Sequence, residues 1–155
     1  MAMIPAFNAH EVVQRRKEAL KARLDRAMAL VLNDLGLELV RTARLLHSYQ
    51  DQTGNLTNSI GYVVIRRKSV VAQGGELKSG AGADEAKEVC MRIAAESKYD
   101  WTLAIVAGME YAAYVEAKGY NVLMPAELKA QRDFGPAMRK LIAKYDERLS
   151  NILKS

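Results

Sequence analysis

Residues 8–50, NAHEVVQRRKEALKARLDRAMALVLNDLGLELVRTARLLHSYQ, decide the fold. No proline interrupts them, and Leu20, Leu24, Ala27, Met28, Val31, Leu32, Leu35, Leu39, Thr42, Ala43, Leu46 and Tyr49 recur at steps of three and four. That is the period of an amphipathic helix, with Asn8 as N-cap and Glu11 completing a box-like start. At 1.5 Å per residue an unbroken helix of this length spans about 64 Å. A compact globule of this chain length is only about 40 Å across. The helix therefore either bends, with Gly36 the natural place, or carries its basic first half (Arg15, Arg16, Lys17, Lys21, Arg23) out toward a partner.

Beyond the helix, Asp51-Gln52-Thr53-Gly54-Asn55 has turn chemistry. Tyr62 to Ala72 is rich in valine and isoleucine and reads as strand, with Arg66-Arg67-Lys68 at a hairpin tip or strand end. Residues 74–83 form a glycine-rich loop, expected to be mobile because little burial offsets its ordering. A short helix follows over 84–97, with Ala86, Val89, Cys90, Ile93 and Ala94 on one face. Trp101 to Gly108 reads as a second strand and Tyr111 to Lys118 as a short helix. Pro125 suits a helix's first turn. Gly135-Pro136 is expected to break that helix and start another, striped by Met138, Leu141, Ile142, Tyr145, Leu149 and Ile152. Helices and strands do not alternate regularly, so the expected fold is α+β. A long N-terminal helix lies on a small, mostly antiparallel sheet, with an inserted short helix and a C-terminal helix. We find no internal repeat, and the 155 residues are expected to form one domain.

Composition excludes several classes. Half the residues are hydrophobic and 26% charged, which is globular rather than disordered or fibrous. No apolar run approaches the ~18 residues of a membrane helix. Met1-Ala2-Met3-Ile4-Pro5 lacks the basic flank and apolar stretch of a signal peptide. A single cysteine cannot form an internal disulfide, so the chain reads as soluble and cytoplasmic. The formal charge of +5 is uneven: residues 8–50 hold eight basic and five acidic groups, and residues 125–155 seven and four. Such basic ends favour nucleic acid or an acidic protein surface, although most of the charges sit among opposite neighbours on solvated helix faces.

Candidates for chemistry are few. His10 and His47 have no partner at ligand spacing, so no zinc site is expected. Cys90 falls on an apolar helix face and reads as packing. Ser59 has no histidine nearby in sequence and no Gly-x-Ser-x-Gly elbow. Glu85 with Glu88, and Asp146 with Glu147, read as surface carboxylates. Gly80-Ala81-Gly82 is no phosphate loop, because Asp84 and Glu85 put negative charge where a phosphate would bind. We expect no catalysis, metal or cofactor. For nucleic acid, Arg66, Arg67 and Lys68, flanked by Tyr62, form the best patch, but they fit no established motif.

Two stretches stand apart: Thr53-Gly54-Asn55-Leu56-Thr57-Asn58-Ser59-Ile60 after the long helix, and Tyr111-Ala112-Ala113-Tyr114-Val115-Glu116-Ala117-Lys118-Gly119-Tyr120 after a strand. Their order and spacing resemble the small tail-component family of long-tailed bacteriophages, the neck or head–tail joining proteins, over roughly residues 10–150. The long gap between the two motifs, with the inserted loop and helix at 74–98, looks like an insertion relative to shorter members, and Ala117-Lys118-Gly119 departs from the Phe-Gly-Thr that often follows the glutamate.

The resemblance implies a virion structural protein of the neck. It would form a homo-oligomeric ring that joins the DNA-filled head to the tail, between a head-closure or connector protein and tail proteins, after assembly in the host cytoplasm. A tail-completion protein at the tail's upper end is the alternative within that class, and a small nucleic-acid-binding protein the alternative outside it. From the residues themselves, Gly54 supplies left-handed geometry at a chain reversal. Leu56 and Ile60 share an apolar face, as do Tyr111, Tyr114 and Val115, and each group is either core or subunit interface. With Ser59 they make up the expected interface set, and Glu116 is a candidate for an intersubunit ion pair. Arg15, Arg16, Lys17, Arg66, Arg67 and Lys68 are the residues expected to face DNA.

Overall fold

The computed structural model describes residues 8–48, 50, 55–75, 83–108, 112, 117–120 and 122–153. Among them the elements are α1 (Ala9–Leu45), α2 (Asn55–Asn58), β1 (Ile60–Arg66), β2 (Ser69–Gly75), α3 (Ala83–Glu96), β3 (Trp101–Ala107) and α4 (Met124–Leu153). The fold is α+β. Its three strands are ordered β2-β1-β3, and both neighbours of β1 run antiparallel to it.

The middle strand, Ile60-Gly61-Tyr62-Val63-Val64-Ile65, is buried on both faces because helices cover both. That explains its unbroken apolar run where a half-exposed strand would alternate. Tyr62 and Val64 point to α1 and α4, joining Leu32, Leu35, Leu39, Ala126 and others in the larger core. Val63 and Ile65 point the other way, onto Ala86, Cys90 and Ala94 of α3. Helix α4 runs back along α1, with its start near Thr42 and Leu46 and residues 137–145 near Ala27 and Val31.

Asn8 caps α1 as expected, its side chain accepting from the His10 N–H at 3.1 Å. Three expectations need correction. First, α1 is shorter than the 8–50 expected, and of the two courses left open it takes the exposed basic first half, not a bend at Gly36. It runs unbroken to Leu45, with Leu46 as C-cap, and stops short of residue 50. Gly36 is there for contact: a Cβ at that position would lie 2.4 Å from the Tyr62 ring. Gly74 flanks the same ring from β2, where a Cβ would come within 2.5 Å. The phenol sits between two glycines and donates to Asn33 Oδ1 at 2.7 Å.

Second, Gly135-Pro136 does not break the C-terminal helix, and α4 passes through Pro136 to Leu153. Apolar contacts on both sides, from Ala126 and Ala130 before the proline and Met138 and Leu141 after it, hold the two halves in line against α1. The cost is the hydrogen bond that residue 136 would have donated to the Arg132 carbonyl.

Third, the glycine-rich loop begins later than residue 74: residues 62–72 form, as the hairpin-tip reading had it, the two arms of a hairpin turning at Arg67-Lys68, and the second arm runs on. Gly74 and Gly75, assigned above to the loop, are the last residues of β2. The rest of that loop, 76–82, and with it Gly80-Ala81-Gly82, lies outside the described residues.

Candidate functional site

The expected interface residues divide sharply. Leu56, Ser59 and Ile60 are 2%, 1% and 0% exposed. Leu56 lies in the single turn of α2, the Ser59 hydroxyl donates to the Leu56 carbonyl at 2.8 Å, and Ile60 opens β1. They are core of the chain's own fold, so none of the three is available to a partner surface. Gly54, Tyr111, Tyr114, Val115 and Glu116 lie outside the described residues; their neighbour Ala112 is buried against the larger core.

The basic candidates divide too. Arg66 is bound inward: its guanidinium donates to the Asp25 carboxylate of α1 and stacks over the Trp101 ring, 5.4 Å from the centroid. It fastens the sheet to α1. Arg67 and Lys68 form the exposed turn, both in left-handed backbone (φ 46° and 67°), and the Arg67 N–H donates to the Asp100 carbonyl. Such φ values suit the right-handed twist of a two-residue hairpin, but Asn-Gly adopts them more cheaply than Arg-Lys. Because Arg66 touches Asp25, this turn lies at the same end of the molecule as the exposed Arg15, Arg16 and Lys17 of α1. Sequence alone could not show that the two clusters lie at the same end.

From Asn8 to Arg26 every residue but Leu20 and Asp25 is exposed, including Val12, Val13 and Leu24. The chain as a whole exposes 10940 Å². A compact monomer of this mass exposes about 7,800 Å².

A second surface was missed in the sequence. Between β3, α1 and α4 runs an open apolar groove of about 630 Å³, lined by Trp101, Leu103 and Ile105 of the strand, Leu32 and Leu35 of α1, and Phe134 of α4, among others. No residue lining it carries a charge. The signal was present in Trp101-Thr102-Leu103-Ala104-Ile105-Val106-Ala107, a strand without charge or proline, but only the strand order puts it at the sheet's edge.

Titratable groups away from these surfaces do structural work. Asp133 sits between Lys129 Nζ and Arg132 Nε, each at 2.6 Å, and these hydrogen bonds hold its carboxyl below the usual carboxylate range. Burial pushes the Cys90 thiol up, and burial, then the Asp34 charge, raises the Tyr62 phenol. Among the described residues no cluster of His, Cys, Asp and Glu could hold a metal, and no helix is long and apolar enough to cross a membrane. No protein-family model, curated protein or solved structure matches the chain.

Proposed function

We propose that this chain is an assembly subunit: a virion structural protein that forms a homo-oligomeric ring in the phage neck and joins the filled head to the tail. The observation that carries the assembly reading is the apolar-studded first half of α1, where from Asn8 to Arg26 every residue but Leu20 and Asp25 is exposed, Val12, Val13 and Leu24 among them. A ring subunit needs two interfaces, each of about 800 Å² per partner, and the exposed half of α1 and the apolar groove beside β3 are two separate surfaces on which they can form. The phage setting comes from the ordered pair of motifs at 53–60 and 111–120. A tail-completion role uses the same subunit surfaces one level lower in the particle.

A second reading, a small nucleic-acid binder, is favoured by Arg15, Arg16 and Lys17 lying at the same end as Arg67 and Lys68. In a ring these side chains would give non-specific contact with DNA in the channel.

Light scattering of the purified chain at low and high salt separates the two readings. An assembly held by apolar surface gives a mass several times the monomer's that survives high salt. A nucleic-acid binder stays monomeric, and its DNA affinity falls steeply as salt rises. A monomer at every concentration would sink the ring.

A further inference from the structure

We infer that the groove beside β3 receives residues 1–7 of a neighbouring copy of this chain, laid along the open edge of the strand. The inference rests on the assembly reading and names the contact that links successive subunits.

The sheet has two edges, and they differ. On the β2 side the register shifts between Val64 and Ile65, so Val71 bulges out of the ladder, and the strand ends in Gly74-Gly75. Bulges and terminal glycines blunt an edge against further pairing. On the β3 side the register with β1 is regular over seven pairs, and among the described residues no strand pairs with the outer edge. Charge, proline and bulge, the usual protections, are all missing from that strand. Beside it lies the groove, into which Trp101, Leu103 and Ile105 all project.

An occupant must therefore offer unpaired backbone to β3 and uncharged side chains to the groove, since a charge buried there would have no partner. Met1-Ala2-Met3-Ile4-Pro5-Ala6-Phe7 meets both conditions, with seven uncharged residues in a chain that is 26% charged. In an extended strand Met1, Met3 and Phe7 share one face, and Pro5 is tolerated because the added strand would itself be an edge.

Geometry excludes the chain's own arm. Measured from Asn8, seven extended residues reach about 24 Å. Met28, the nearest groove residue along α1, is about 28 Å up the helix from residue 9, and Leu35 about 39 Å. The arm cannot lie along its own groove, so it fills another subunit's. Donating at one end and receiving at the other is a head-to-tail contact, the kind that closes into rings.

The test mixes two full-length variants, Met3→Cys and Gln131→Cys, under mild oxidation, so that a cross-link between the introduced thiols joins two chains. The buried Cys90 is the only other thiol. The expected result is a disulfide-linked pair at least tenfold more abundant than from Met3→Cys mixed with Ala95→Cys, a position on α3 across the sheet. Deleting residues 1–7 should also reduce the scattering mass to that of the monomer. Equal cross-linking in the two mixtures, or an arm-deleted chain that keeps the assembled mass, overturns the arm contact while the assembly reading stands. A full-length chain that is monomeric at all concentrations overturns both.

Discussion

A methyl group at residue 36 would have to share space with the Tyr62 ring, and neither the middle of α1 nor the central strand can give way easily. Alanine is worth about 1 kcal/mol more than glycine in a helix interior. Overpacking a close-packed core costs about 1–3 kcal/mol, and a contact of 2.4 Å falls at the severe end. We therefore expect Gly36→Ala to destabilise the fold despite its better helix propensity, with a lower urea midpoint and an unchanged slope. A stabilised variant would mean that the ring moves freely.

The hairpin turn makes the converse case. Arg67 and Lys68 each sit in backbone that costs an ordinary residue about 1–2 kcal/mol, so Arg67→Asn with Lys68→Gly should raise stability by about 1–3 kcal/mol. If these residues are kept for DNA, the same double variant loses affinity and its binding becomes less salt-dependent, by roughly two phosphate contacts. Higher stability with unchanged affinity would remove the turn from the DNA-facing set.

At the scale of elements, α4 is weakened at Pro136 and strengthened just before it. Restoring the missing donor with Pro136→Ala should stabilise α4 by about 1–3 kcal/mol, read as a higher melting temperature. Asp133, held by Lys129 and Arg132, acts through pH. Its carboxyl titrates lower in the folded chain than in the unfolded one, so the contribution is complete above the unfolded value of about 4. It is lost as pH falls below that toward the folded value. Wild type should exceed Asp133→Asn in urea midpoint at pH 7, and the gap should narrow as pH drops from about 5 to 2. A gap that is constant with pH would mean that the ion pairs contribute nothing.

The same two helices show what was legible in advance. Periodicity located α1 and α4 because it reports which face meets the core. It left a bend at Gly36 open and took Gly135-Pro136 for a break, because local propensity says nothing of a ring docking on one or of contacts bracketing the other. The hairpin and its basic tip were legible from composition. The pairing of Arg66 with Asp25, 41 residues away in sequence, was not.

Across the whole molecule, area outweighs chemistry. The core is two layers on a three-stranded sheet, while half of α1 stands clear of it. Cys90, closed between α3 and the sheet with its thiol pushed up, should label with a thiol reagent at least a hundredfold more slowly than in urea-unfolded chain. Rapid labelling would mean that α3 detaches from the sheet. Leu56 and Ile60 carry the wider lesson. Residues chosen for an interface proved to be interior, because one sequence pattern serves both kinds of burial and only the third dimension separates them.

Trp101 is the chain's one tryptophan, and it stands in the apolar groove with a guanidinium over its ring. The molecule thereby carries its own optical probe at the place where a neighbour would bind. If subunits associate through that groove as proposed, indole emission should move to shorter wavelength and become harder to quench with acrylamide. Dilution should reverse both changes, and the concentration at the midpoint would give the association constant without any label.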